Sequence, residues 1–184
     1  RRGDRPAALA LYRHALQIRE RTRGPDDVTL APVLNNLAAV AEASGDLPAA
    51  RALNERALRL RERALGPAHP EVARSLNNLA GVLLRQRDLA GAEPLLARAL
   101  QIRERALGPG HPGVAHVLVN LAELARLRGD LDAAWRLHTR ALQIREAALP
   151  PEHPDIATSI TELGHLALAR TRPAEAVPLL ERAL

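Results

Sequence analysis

The chain of 184 residues contains no cysteine, no methionine and no phenylalanine, and only one tryptophan and one tyrosine. Without cysteine there can be no disulfide, no thiol nucleophile and no thiolate metal site, a composition that suits a cytoplasmic setting. Aromatic residues make up 1 % of the chain and hydrophobic residues 47 %, so the core must be built from Leu, Ala, Val and Ile. Such side chains favour slender helices in close contact. Lysine is absent as well: all 26 basic residues are arginine, against 21 acidic ones, for a formal charge of +5. The charges alternate in sign and never form a basic run of five or six, so the pattern of a nucleic-acid-binding tail is missing. No stretch of about 18 uninterrupted apolar residues occurs, as a membrane-spanning helix requires, and the N-terminus has no signal-peptide architecture. GxGxxG, P-loop and HExxH motifs are missing, and Ser44, Ser75 and Ser159 have no glycine elbow around them. No enzymatic activity and no cofactor are expected.

What the chain does have is a repeat. Gly66-Pro67-Ala68-His69-Pro70 returns as Gly108-Pro109-Gly110-His111-Pro112 and as Pro150-Pro151-Glu152-His153-Pro154, a spacing of 42 residues. The same step links Leu37, Leu79, Leu121 and Leu163; it also links Ala8, Ala50, Ala92, Ala134 and Ala176, and Gly3-Asp4 with Gly45-Asp46. A period in this range marks a stacked array whose core lies between layers. The expected organisation is one array over residues 1–184: a partial module at 1–23, full modules at 24–65, 66–107 and 108–149, and a module at 150–184 truncated in its second helix. Both ends fall within a module and lack polar capping units, so the chain is expected to be an excerpt from a longer protein.

Each module reads as two helices. Over residues 28–44, Leu30, Val33, Leu34, Leu37, Ala38 and Ala41 share one face of a wheel turning about 100° per residue. Pro32, Asn35, Asn36, Ala39, Glu42 and Ala43 form the opposite stripe, which is presented to solvent. A second helix is expected from about Pro48 to Ala64, entered through a turn glycine, Gly45, and a capping aspartate, Asp46. Its counterparts begin near Pro6, Ala90, Asp132 and Ala174, giving nine helices, the last cut short. Arg87 and Thr171 replace the turn glycine in two modules, where the turn must change geometry or carry strain. Pro94 and Pro178 fall inside their helices and should bend them slightly.

The spacing Leu34-x2-Leu37-Ala38-x2-Ala41, then Gly45, Ala50-x3-Asn54 and Ala57-Leu58, resembles the tetratricopeptide repeat. The longer module, with Leu-Asn-Asn-Leu-Ala at 76–80 and Ala-Leu-x-Ile-Arg-Glu-x-Ala-Leu-Gly-Pro at 99–109, is similar to the kinesin-light-chain type. Usual aromatic positions hold Ala41, Leu83, Ala125 and Ala167. The resemblance implies an all-α fold, a right-handed α-solenoid of stacked antiparallel helix pairs, whose first helices line a concave groove that binds peptides or partner helices. It further implies a scaffold or sensor segment of a larger signalling protein, without catalysis.

Candidate binding residues follow from the presented stripe. Asn36, Asn78 and Asn120 recur at one module position, joined by Asn35 and Asn77, and a side-chain amide both donates to and accepts from main chain. In the resembling family an Asn at this position contacts bound peptide; Glu162 replaces it in the fourth module. The competing role for these amides is bonding to neighbouring helices. Arg74, Arg85, Arg126 and His116 share the stripe and suit an acidic ligand, but Glu42, Glu123 and Glu162 lie there too, so pairing within the chain is the alternative. His69, His111 and His153 are expected on the order of 10 Å apart, too far to share one metal ion. Each precedes a helix-opening proline, and a loop role is expected. Trp135 and Tyr12 occupy different module positions and fill space rather than stack bases. A protein or peptide is the expected partner, acidic in chemistry if the arginines select it. The rival classes are a structural spacer that self-associates through its uncapped ends and, last, a nucleic-acid binder.

Overall fold

The computed structural model describes residues 5–183, with side chains from residue 9 onward. Gly3-Asp4, the chain ends Arg1 and Leu184, and the surroundings of Ala8 lie outside this description. Nine α-helices occur among the described residues: α1 (Arg5–Arg23), α2 (Ala31–Ala43), α3 (Leu47–Leu65), α4 (Pro70–Arg85), α5 (Leu89–Leu107), α6 (Pro112–Leu127), α7 (Leu131–Ala148), α8 (Pro154–Ala169) and α9 (Pro173–Arg182). A short 3-10 turn, Val28–Leu30, leads into α2. The all-α expectation holds, and each second helix begins one residue before its expected start. Two compact units divide the chain within α5: Arg1–Leu95 and Leu96–Leu184.

Within the first unit, Leu30, Ala31 and Leu34 meet Ala57 and Leu60 of α3, with Leu16 and Leu53 alongside. Further along the same helices, Ala38, Ala41, Ala50 and Val82 join α2, α3 and α4. The second unit repeats this plan. Ala141 and Ile144 of α7 pack on Val114, Ala115 and Leu118 of α6, while Leu142 on another side of α7 packs on Ile156, Ile160 and Leu163 of α8. A second helix in each unit is thus held between two first helices. Ala50, Ala92, Ala134 and Ala176 are all fully buried, because only a small side chain lets helix axes approach to about 8–10 Å. All six residues assigned to the buried face of the first full module are in the core.

Turn chemistry fixes each hairpin. Asp46, Asp88 and Asp130 accept hydrogen bonds from the main-chain N–H groups of Ala49, Gly91 and Ala133 at 2.8–3.0 Å, capping α3, α5 and α7. Arg172 stands at the corresponding place before α9 and provides no such cap. The preceding residue is left-handed in all four turns: Gly45 (φ 81°), Arg87 (62°), Gly129 (84°) and Thr171 (58°). The bond that closes the turn is kept throughout, from Asp46 N to Ala41 O (2.9 Å), Asp88 N to Leu83 O (2.9 Å), Asp130 N to Ala125 O (3.0 Å) and Arg172 N to Ala167 O (2.8 Å). Arg87 and Thr171 therefore retain the geometry at a cost of roughly 1–2 kcal/mol each, the strain being greatest for β-branched Thr171.

The three loop histidines act as helix caps. Nδ1 of His69, His111 and His153 accepts from the N–H of Glu71 (3.1 Å), Gly113 (3.0 Å) and Asp155 (3.1 Å). In the first full module Asp27, at the same register position, accepts from Thr29 N at 2.7 Å. Two residue types meet one requirement, an acceptor for a free N–H at a helix start. Bonding to Thr29 holds the Asp27 carboxyl below the usual carboxylate range.

Candidate functional site

The exposed stripes of the first helices carry most of the polar side chains singled out above, and the structure divides them by one helical step. Asn36 is exposed on α2 and Asn78 is half-buried on α4 at the equivalent position. Asn35, about 100° away on the helix, turns inward: its Nδ2 donates to Asn54 Oδ1 at 2.9 Å and its Oδ1 accepts from Arg61 at 2.7 Å. Asn35 is thus a link between α2 and α3. Asn77 and Asn120 are half-buried and engaged in polar interactions within the chain.

Each arginine of the stripe already faces a carboxylate. Arg74 lies 3.2 Å from Glu71 on its own helix. Arg85 of α4 reaches Glu42 of α2, donating to its carboxylate and its main-chain oxygen, both at 3.2 Å. Arg126 grips Glu123 with two bonds of 2.7 Å, and that pairing raises its pKa. His116 of α6 lies 3.6 Å from Asp155 of α8; burial, followed by the nearby Arg145 and Arg103, holds its imidazole below the ordinary histidine range. Exposed pairs of this kind contribute about 0–1 kcal/mol each. Their effect on recognition is to offset the charge an acidic ligand would otherwise meet.

A buried arginine that repeats with the same period is the main feature that sequence patterning did not single out. Arg61 is 3 % exposed and Arg145 6 %. Arg61 donates to Ser75 Oγ at 2.6 Å and faces Glu71 at 3.5 Å. Arg145 donates to Ser159 Oγ at 2.6 Å and to the main-chain oxygen of Asp155 at 3.0 Å. Each spans from a second helix to the next first helix, and burial lowers both guanidinium pKa values. Ser75 and Ser159 are therefore acceptors in inter-helix clasps. The recurrence of Arg19, Arg61, Arg103 and Arg145 at one module position was the available signal.

Two open clefts lie elsewhere. One of about 450 Å³ is lined by His14, Gln17, Ile18, Glu20, Arg21 and Pro25. The other, about 340 Å³, lies beside the turns Gly129–Asp132 and Arg170–Arg172, where the Arg170 guanidinium sits 4.9 Å from the centre of the Trp135 ring. Trp135 itself packs against the Leu142–Ile160 cluster. Among the described residues, no group of three or more His, Asp or Glu side chains could hold a metal ion, and no helix is long and apolar enough to cross a membrane.

The family model for the tetratricopeptide repeat matches residues 1–63, 29–94, 71–147 and 118–184. Among solved structures, BtubC (BKLC) from P. vanneervenii is similar at 29 % identity and TM-score 0.79, over 98 % of this chain and 72 % of that one. A kinesin-light-chain-like protein of Podospora anserina with nearly identical TPR-like repeats is similar at 24 % identity and TM-score 0.73, over 98 % and 86 %. The Rap protein complexed with competence and sporulation factor shares the fold at 18 % identity and TM-score 0.83, with 98 % of this chain matching 48 % of that one. Curated proteins gave no match.

Proposed function

The chain belongs to the tetratricopeptide repeat family, whose fold is consistent with a protein–protein interaction scaffold, and from that premise we propose that its first helices bind an extended peptide segment of a protein partner. The observation that carries this is the pair Asn36 and Asn78, equivalent in register on the adjoining helices α2 and α4, accessible to solvent, and flanked by the Glu42–Arg85 bridge. Uncharged amides read peptide main chain without demanding a particular side chain. The arginines of the stripe are committed to Glu71, Glu42 and Glu123, so charge selection for an acidic ligand is weaker than an unpaired row would give. The proposed organisation remains one array of 42-residue modules, acting as a non-catalytic scaffold or sensor segment in the cytoplasm.

Random linear peptides displayed on phage and selected against the chain test this. Loss of two amide contacts, at about 0.5–1.5 kcal/mol each, predicts that the double variant Asn36→Ala/Asn78→Ala binds the selected peptides roughly tenfold more weakly. Arg59→Ala, at an exposed position on α3, leaves their affinity unchanged. Peptides that bind the double variant as well as the parent, or a selection that enriches no sequence, overturn the assignment. A self-associating spacer would instead show concentration-dependent mass in light scattering and enrich no peptide.

A further inference from the structure

Three residues of the second unit differ from their counterparts in the other modules. Glu162 of α8 stands where other modules have Asn36, Asn78 and Asn120; Glu123 of α6 stands where they have Ala39, Gly81 and His165; His138 of α7 stands where the first full module has Asn54. His138 is 6 % exposed, and its Nδ1 meets no hydrogen-bond partner. The contrast with Asn54 explains why. Asn54 accepts from Asn35, whereas the residue of α6 in the place of Asn35 is Val119, which has nothing to donate. A buried polar atom without a partner costs on folding, and a group that supplied the missing partner would relieve that cost.

The surroundings define that partner. Burial, and to a lesser degree Arg145, lowers the imidazole pKa of His138 against the opposing fields of Glu162 and Glu123, and the neutral ring has one acceptor nitrogen. Glu123 is held by Arg126 at 2.7 Å. Glu162 is exposed and, among the described residues, has no cation within ion-pair distance, Arg126 acting on it only as a more distant field. With Glu123 cancelled by Arg126, Arg145 facing Asp155 at 3.7 Å and the imidazole neutral, Glu162 leaves a local balance of one negative charge. The two carboxylates accept only and the neutral imidazole adds one acceptor nitrogen beside its single N–H, so acceptors predominate on this face, whereas the peptide amides proposed to meet Asn36 and Asn78 require both donor and acceptor.

We propose that this α6–α8 face binds the guanidinium of an arginine side chain in a partner peptide, with Glu162 as its counter-ion, Glu123 as a second acceptor and His138 beneath it. A planar guanidinium with five N–H donors can fork between separated acceptors, which a point-like ammonium does less well. The inference rests on the peptide-binding role proposed above and adds its charge preference in the second unit, basic where the arginine stripe alone suggests acidic.

The probe is N-acetyl-Ala-Arg-Ala-amide, titrated into the chain labelled with 15N-histidine while the ring nitrogens of His138 are followed by NMR. Their signals are assigned by their disappearance in His138→Asn. A saturable shift at His138 is expected, with affinity falling about tenfold in Glu162→Gln, an exposed and conservative change. The same peptide with neutral citrulline in place of arginine should leave the signals unmoved. No saturable shift, or equal shifts with citrulline, overturns the proposal. Asn36→Ala/Asn78→Ala should leave the tripeptide response intact, so failure here is distinguishable from failure of main-chain recognition in the first unit.

Discussion

Leu118→Ala lowers the unfolding free energy by about 2–5 kcal/mol, as measured by urea denaturation followed by circular dichroism. Leu118 is fully buried between α6 and α7, against Val114, Ala115, Ala141 and Ile144. Three of its neighbours are alanine or valine, too short to swing into the space that the lost carbons leave. The residual cavity therefore adds to the lost transfer energy, and the value should fall in the upper part of the range. Leu168→Ala, at a position 49 % exposed on α8, should change stability by less than about 0.5 kcal/mol. A loss below 1 kcal/mol at Leu118 would mean that α6 and α7 do not meet as described.

Arg61→Ala should cost about 2–4 kcal/mol, because it removes charge-assisted bonds in a buried setting. The guanidinium contacts Ser75 Oγ at 2.6 Å and Asn35 Oδ1 at 2.7 Å, linking three helices. Two effects compete: the attraction within the clasp and the desolvation of a buried cation, the latter visible in the lowered pKa of Arg61. Arg61→Met separates them. It keeps an apolar stem of similar reach, removes the desolvation cost, and should recover at least half of the alanine loss. Ser75 can then return its hydroxyl to the carbonyl one turn earlier. If Arg61→Ala proves neutral, the clasp is not a stabilising contact; if Met is no better than Ala, desolvation of the buried guanidinium does not oppose the clasp as described.

The repeat made much of this architecture legible. A spacing of 42 residues places equivalent side chains in equivalent packing, so the buried faces, the turn aspartates and the cap histidines follow from any one module. Two kinds of information were hidden. Adjacent Asn35 and Asn36 look alike in sequence, yet their 100° separation gives one to the α2–α3 interface and leaves the other in solvent. Arginine reads as a surface residue, and nothing in its local pattern indicates that Ser75 and Asn35, from two other helices, supply the acceptors that allow Arg61 to be buried. His138 was obscured for the same reason, because its environment is set by the missing donor at Val119 on another helix. The stripe arginines were legible as a set, but their pairing depended on reach: Arg85 meets Glu42 only because α4 lies against α2. Arg87 and Thr171 show the repeat overruling local preference, since both keep a left-handed turn that glycine would adopt without strain.

The absence of cysteine allows the separation of buried and presented faces to be measured directly, by introducing one thiol at a time and timing its reaction with an uncharged maleimide. Asn36→Cys and Asn78→Cys should react at close to the rate of a free thiol, and Leu34→Cys and Leu76→Cys, at fully buried positions, at least roughly a hundredfold more slowly because they wait on local opening. A phage-selected peptide should then slow the first pair and leave Arg59→Cys unaffected. Equal rates at the asparagine and leucine positions, or peptide protection at Arg59→Cys alone, would contradict the assignment of the first helices as the binding surface.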